Sequence, residues 1–398
     1  MAGPLTGVKV VEMGVWVAGP SCAAMLGDWG AEVVKIEPPD GDPFRGLFAG
    51  LLGIPMNPPF ELDNRGKRSI AINLEHEEGR EVARKLIDDA DVFVSNMRPR
   101  VLEKYGLASE ACMARNPRLI YCQVTGYGPD SDEANRAAYD VGAFWSRAGV
   151  VASLMPEGTE PPVQRGGMGD HMTGSNAAGA IAAALYSREK TGKGQRVAVS
   201  LMRIGAYMMG WDLNTHLRMG MPIVPYDRTH AVNPIINSFR DKDGKWFWLL
   251  LLQADRHWPD LLRALDARYL GDDPRFQSIP ARLQNQTELV AELDRLFARK
   301  TLAEWGPILD RENVWWAPVN RLEDVALDPV AEQAGVFVNL AGPDGPLRQV
   351  ATPADFYGTP VEPGNWAPEL GQDTEMILQD LGYDWDAIIA LKEKGAIP

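Results

Sequence analysis

Val8-Lys9-Val10-Val11-Glu12, the turn Val17-Ala18-Gly19-Pro20 and Glu32-Val33-Val34-Lys35-Ile36-Glu37 form the stretch that decides the fold. An apolar run of strand length, a turn, a helix predicted from about Ser21 to Trp29, and a second strand stopped by Pro38-Pro39 make one strand-helix-strand unit. Outward from it the alternation continues. Glu77 to Ala90 has helical spacing, and Asp91-Val92-Phe93-Val94 and Leu119-Ile120-Tyr121-Cys122-Gln123-Val124 read as further strands. Strands alternating with helices predict an α/β domain with a parallel, Rossmann-like sheet. Ligands of such sheets sit beyond the carboxyl ends of the strands. Val15 to Ala18, Glu37 to Arg45, Asn96 to Arg100 and Thr125 to Gly128 are therefore expected on one rim. The first strand-helix turn holds only Gly14 and Gly19, without the dinucleotide fingerprint, which argues against a nicotinamide cofactor.

After a helix predicted near Val197 to Leu217 the pattern changes. Asn237-Ser238-Phe239-Arg240, the turn Asp241-Lys242-Asp243-Gly244 and Lys245-Trp246-Phe247-Trp248-Leu249-Leu250-Leu251 predict a β-hairpin. Helices are expected near Asp255 to Leu265, Gln286 to Ala298 and Leu302 to Arg311. Residues 1–200 and 326–398 are read as a large domain, 201–224 as a linker helix and 225–325 as a small α+β domain. The tail from Ala351 is proline-rich and then helical.

Composition narrows the function. In 398 residues there are 54 acidic and 40 basic side chains, a formal net charge of -14. Nucleic-acid binding relies on clustered Lys and Arg, so no nucleic-acid partner is expected. Cys22, Cys112 and Cys122 have no paired spacing and read as reduced thiols of a cytoplasmic protein. No signal peptide and no membrane span are expected. The five histidines lie far apart, without metal-ligand spacing.

The chemistry concentrates in Arg165-Gly166-Gly167-Met168-Gly169-Asp170-His171-Met172-Thr173-Gly174, which leads into a small-residue helix. Glycines let a bulky ligand approach the backbone. A helix beginning at Asp170 would aim free N–H groups at its carboxylate and hold it ionised. An ionised, approachable carboxylate is a candidate nucleophile. Asp is equally a favoured helix cap, and the segment alone leaves both roles open.

Several longer motifs, in order, resolve that choice. They are Pro4-Leu5-Thr6-Gly7-Val8-Lys9-Val10-Val11-Glu12, Ala18-Gly19-Pro20, Leu26-Gly27-Asp28-Trp29-Gly30-Ala31-Glu32, Asn64-Arg65-Gly66-Lys67-Arg68-Ser69-Ile70, Asn96-Met97-Arg98-Pro99, Gly126-Tyr127-Gly128-Pro129, Tyr139-Asp140, Gly167-Met168-Gly169-Asp170, Lys190-Thr191-Gly192-Lys193-Gly194-Gln195 and Ala367-Pro368-Glu369-Leu370-Gly371-Gln372-Asp373-Thr374. Nearly end to end, the chain resembles the class III CoA-transferases, the CaiB/BaiF group that includes formyl-CoA:oxalate CoA-transferase. The resemblance implies a large CoA-binding domain built from both chain ends, a small domain from the middle, and a homodimer of interlocked rings. It implies acyl-CoA and carboxylic acid substrates, coenzyme A as a substrate and no tightly bound cofactor.

The resemblance also implies residue roles. Asp170 would be the nucleophile and Tyr139 an active-site aromatic, with Gly166 and Gly167 as sources of amide donors to the oxyanion. CoA contacts would come from Val17 and Ala18, from a strand Ile72-Asn73-Leu74-Glu75, from Asn96, Met97 and Arg98, and from Lys104. Without it, Arg98 and Lys104 read as solvated surface, and Tyr139 as core. Departures from the oxalate enzymes bear on the substrate. Val17 stands for a polar amide, Pro38 for a phosphate-contacting arginine, and the run of glycines covering their active site is missing. With the apolar Phe144-Trp145, Gly210-Trp211 and Met219 to Val224, this points to a larger acyl group: branched-chain, aromatic or dicarboxylic.

Two rivals remain at this stage. A 2-methylacyl-CoA racemase on the same fold needs a histidine just before Asp140, to exchange a proton on the opposite face, and this chain has Tyr139 there. A non-catalytic CoA-binding protein would tolerate loss of Asp170, and the intact Gly-Asp segment argues against it.

Overall fold

The computed structural model describes residues 3–343, 345–360 and 364–398. Six strands, β1 (Lys9–Met13), β2 (Glu32–Glu37), β3 (Arg68–Ala71), β4 (Val92–Ser95), β5 (Ile120–Thr125) and β6 (Gln195–Ser200), form one sheet in the order β3-β2-β1-β4-β5-β6. Every pairing in it is parallel. The order reverses between β1 and β4, the switch point where such sheets open a crevice for ligands.

Both faces of the sheet are covered, which is why its strands are continuous apolar runs rather than alternating ones. Val10, Val92, Ile120 and Cys122 pack with the helices Ala18–Asp28 and Met168–Thr191. Val11, Phe93 and Tyr121 face the opposite way, toward the helix Glu77–Asp88 and the C-terminal helices Thr374–Asp380 and Trp385–Glu393. The helices Ala18–Asp28 and Met168–Thr191 approach closely at Gly174. A Cβ there would meet the Ser21 hydroxyl and the Cys22 amide, so this crossing requires glycine.

Three expectations need correction. The first helix starts at Ala18, not Ser21. Pro20 is accommodated because first-turn amides have no helical partner to lose. Residues 197–217 are not one helix. The β-branched Val197 and Val199 extend as β6, opposite Cys122 and Val124, and Ser200 then caps the helix Leu201–Met208, followed by Gly210–Met219. Finally, Ile72–Glu75 is not strand: the strand is Arg68–Ala71, and Ile72 to Glu75 form the loop leaving its carboxyl end.

The chain divides into two compact units. The first takes the residues up to Ala152, Pro161–Ile223 and Glu332–Pro398, including the helices of 201–219. It also carries a hairpin that sequence reading missed, β10 (Phe337–Gly342) with β11 (Gly345–Val350). The second takes Ser153–Glu160 and Val224–Ala331. There the expected hairpin forms from β7 (Ile236–Arg240) and β8 (Trp246–Leu250), and β9 (Trp316–Pro318) adds a third antiparallel strand. Its core includes Phe239, Phe247, Phe297 and Trp305. Among the described residues no helix is long and apolar enough to cross a membrane.

Candidate active site

Two clefts open at the carboxyl edge of the sheet, one on each side of the turn after β1. The first, about 390 Å³, receives Val15, Trp16 and Ala18 from that turn, Asn96, Met97 and Arg98 from the end of β4, and Thr125 and Gly126 from the end of β5; Tyr139, Asp140 and Asp170 complete it. The second, about 290 Å³, is lined by Met13 to Val15, Glu37 to Asp40, Ile72 to Glu75, Met97 and Tyr105. Val15 and Met97 belong to both.

The turn between the clefts is tied down by buried charge. Glu12 accepts from Lys35 at 2.9 Å and from Lys67 at 2.7 Å, all three side chains fully buried. Lys35 also donates to the Gly14 carbonyl and to Asp42. Asp42 in turn accepts from the Trp16 amide at 3.1 Å. From β4, the Asn96 side chain accepts from the Val15 amide and donates to the Val15 carbonyl. The Asn96 amide is thus spent on shaping the turn.

Asp170 is not the cap of its helix. The helix Met168–Thr191 begins two residues earlier, with Gly167 in the left-handed conformation at the cap position. The capping oxygen comes from Asp140, which accepts from the Gly169 amide at 2.9 Å and from the Asp170 amide at 3.3 Å. This contact explains Gly169: a Cβ there would overlap the Asp140 carboxylate and the Phe144 ring. With Asp140 serving the helix end, the Asp170 carboxylate stays free to face the cleft. The other Asp140 oxygen is buried without a hydrogen-bond partner among the described residues.

The electrostatics differ from the expectation that the helix end holds Asp170 ionised. Burial, and then the neighbouring Asp140 charge, push the Asp170 carboxyl up to about 7, against a lowering pull from His171. Desolvation and a like charge both disfavour the ionised form, and the amides that would have favoured it belong to Asp140. His171, which sequence reading passed over, bonds through Nε2 to Asp63 at 2.9 Å. Asp63 is nine-tenths buried or more, and one of its oxygens has no partner among the described residues. Burial lowers the imidazole, but the Asp63 hydrogen bond and charge outweigh it, so His171 is raised above its ordinary value.

The structure therefore collects Asp170, Tyr139, Ala18, Asn96, Met97 and Arg98 in one cleft and Ile72, Asn73, Leu74, Glu75 and Met97 in the other. Val17, Lys104, Gly166 and Gly167 line neither. Val17 turns inward against Phe44 and Phe60. Lys104 is engaged by Glu75 at 2.5 Å, at the surface. Trp16 was missed as well; the signal was its place beside Val17 in the first turn. Phe144 and Trp145 are core residues. Trp211 is 87% exposed rather than packed, so its apolar bulk says nothing about this cleft.

Comparison with known proteins agrees with this arrangement. The family model described as "CoA-transferase family III" matches residues 5–374. The chain is 35% identical to a (R)-2-hydroxy-4-methylpentanoate CoA-transferase of Clostridioides difficile, over 99% of each chain. It is 30% identical to a cinnamoyl-CoA:phenyllactate CoA-transferase of Clostridium sporogenes, over 98% of this chain and 96% of the other. A crystal structure of a CaiB/BaiF family protein from Brucella suis superposes with a TM-score of 0.83 at 30% identity, covering 96% of this chain and all of that one. The chain is a transferase and belongs to CoA-transferase family III.

Proposed function

We propose that the protein moves CoA from an acyl-CoA thioester to a carboxylic acid through acyl intermediates on Asp170. The observation that carries this reading is a single partly buried carboxylate in the switch-point cleft, its own helix capped by another residue. An Asp170 oxygen attacks the thioester carbonyl. The C–S bond breaks, leaving a mixed anhydride and the CoA thiolate. The thiolate then attacks the Asp170 carbonyl, which releases the first acid and forms an aspartyl-CoA thioester. The incoming carboxylate attacks that thioester and again frees the thiolate. The thiolate finally attacks the acyl carbonyl of the new anhydride, returning Asp170 and giving the new acyl-CoA. Covalent catalysis of this kind conserves the thioester's free energy, provided that water is kept from the anhydride.

The two clefts suit one CoA molecule laid across the turn after β1, its nucleotide toward Ile72 to Glu75 and its thioester toward Asp170. Arg98, at the first cleft, is the cation available to phosphate. The Gly169 amide is engaged by Asp140. No hydrogen bond of the Gly166 or Gly167 amide is present among the described residues, so those two are the candidate oxyanion donors. The racemase reading is not favoured: Tyr139 stands where it needs a histidine, and both relatives above are named CoA-transferases.

We further infer a homodimer, interlocked as in the family. Tyr207, Trp211, Leu217 and Met219, on consecutive helices, are each more than two-thirds exposed, an apolar surface larger than a monomer usually presents. Cys22, Cys112 and Cys122 are free buried thiols, which suits the reducing cytoplasm. The deciding experiment is incubation with an acyl-CoA and hydroxylamine. Inactivation with a hydroxamate on the Asp170 peptide, seen by mass spectrometry, is expected. Full turnover by Asp170→Asn, with no label on the unmodified protein, would sink the transfer mechanism.

A further inference from the structure

The clearest backbone anomaly in the first unit lies inside the cleft. Trp16 has φ 63°, a left-handed conformation that L side chains disfavour and that glycine adopts freely. A turn selected only for folding would carry glycine there. The conformation is enforced: the Trp16 amide donates to Asp42 at 3.1 Å, and Asp42 is itself buried and held by Lys35 at 3.1 Å. Its consequence is to send two consecutive side chains opposite ways. Val17 enters the cluster around Phe44 and Phe60, and the Trp16 indole enters the cleft that holds Asp170.

The indole is seated on both sides. Phe44, in the core, lies 5.8 Å away at 42°. Tyr139 meets it edge-on, at 5.8 Å and 88°, and is itself 64% exposed. Charge selects further. Asp140 and Asp170 put two carboxyl groups at this wall. Of the arginines lining the cleft, Arg136 is bound to Glu133 at 2.5 Å, and Arg98 is the one assigned above to phosphate. A second carboxylate on the acyl group would find repulsion and no free cation; an apolar group would find aromatic surface.

We propose that Trp16, with Tyr139, is the specificity wall of this enzyme, selecting a bulky apolar acyl group (aryl or branched alkyl) over short and over carboxylate-bearing ones. This rests on the reading of the cleft as the acyl-CoA site. Backbone strain at a functional residue is retained when the surroundings over-determine it, and here Asp42, Phe44 and Tyr139 do so.

The test is binding of three inert CoA thioethers by calorimetry: S-(3-phenylpropyl)-CoA, S-ethyl-CoA and S-(3-carboxypropyl)-CoA. The unmodified protein should bind the phenylpropyl compound at least ~10-fold more tightly than either other, the scale expected for burying several methylene equivalents. Trp16→Gly removes the indole while suiting the left-handed backbone, so the fold is retained, as circular dichroism will check. It should bring the three affinities within ~3-fold of one another, and Trp16→Phe should restore most of the preference. Equal affinities in the unmodified protein, no binding of any thioether, or a preference unchanged in Trp16→Gly would overturn the assignment. The hydroxylamine experiment separates the two readings. An Asp170 label without thioether discrimination defeats the specificity wall alone, and discrimination without a label defeats the transfer chemistry alone.

Discussion

At Asp170, reactivity and stability pull against each other. A carboxyl pushed up to about 7 by burial and by Asp140 attacks only when ionised. We expect kcat/KM to rise about tenfold per pH unit below pH ~7 and to level off above it. A flat profile from pH 5 to 8 would contradict this. The same shift governs stability. The folded carboxyl binds its proton more tightly than the unfolded one, so between the unfolded value near 4 and the folded value near 7 the native state holds the extra proton. Stability therefore falls as pH rises through that window. Asp170→Asn should accordingly stabilise the protein at pH 8 by roughly 2 kcal/mol, about half of the full linkage value because the cleft admits water. The gain should vanish below pH 4, as read by denaturant unfolding at the two pH values. Turnover of this variant should fall at least ~10³-fold, as expected when the covalent nucleophile is removed.

At the level of elements, the start of the helix Met168–Thr191 depends on a residue outside it. Asp140 supplies the capping oxygen, and Gly169 leaves room for it. Gly169→Ala should drive a methyl into Asp140 and the buried Phe144, costing about 2 kcal/mol and moving Asp170 enough to lower kcat by ~10²-fold. Thermal unfolding and steady-state kinetics read the two effects. The turn after β1 has a similar dependence on Glu12. Lys67→Met removes one of the two cations on that fully buried carboxylate and should destabilise by about 3–5 kcal/mol, the scale for breaking a buried ion pair by removing one partner. A loss below 1 kcal/mol in denaturant unfolding would show the network to be expendable.

At the scale of the whole molecule, the exposed Tyr207, Trp211, Leu217 and Met219 lead us to expect twice the chain's mass in sedimentation equilibrium. Trp211→Lys should weaken the dimer without altering the secondary structure seen by circular dichroism. A purely monomeric protein at micromolar concentration would contradict the interlocked assembly. The parallel sheet at this scale was legible from a few short runs. Val10, Val92 and Ile120 sit in apolar stretches bounded by turns, and periodicity is a local property of the chain. The rim was legible for the same reason, because in a parallel sheet the residues after successive strands must share one edge. Residues 197–217 were misread because Val197 to Ser200 fits strand and helix alike until β5 is present to pair with it.

The sequence by itself determined the strand-helix alternation, the crevice edge, the family and the carboxylate at position 170. Only the tertiary structure decided what that carboxylate experiences. Asp140 caps the helix from 30 residues away, Asp63 reaches His171 across 108, and Asp42 holds Trp16 across 26. Apolar patterning is written along the chain, whereas desolvation and charge act through space between segments that only the fold brings together.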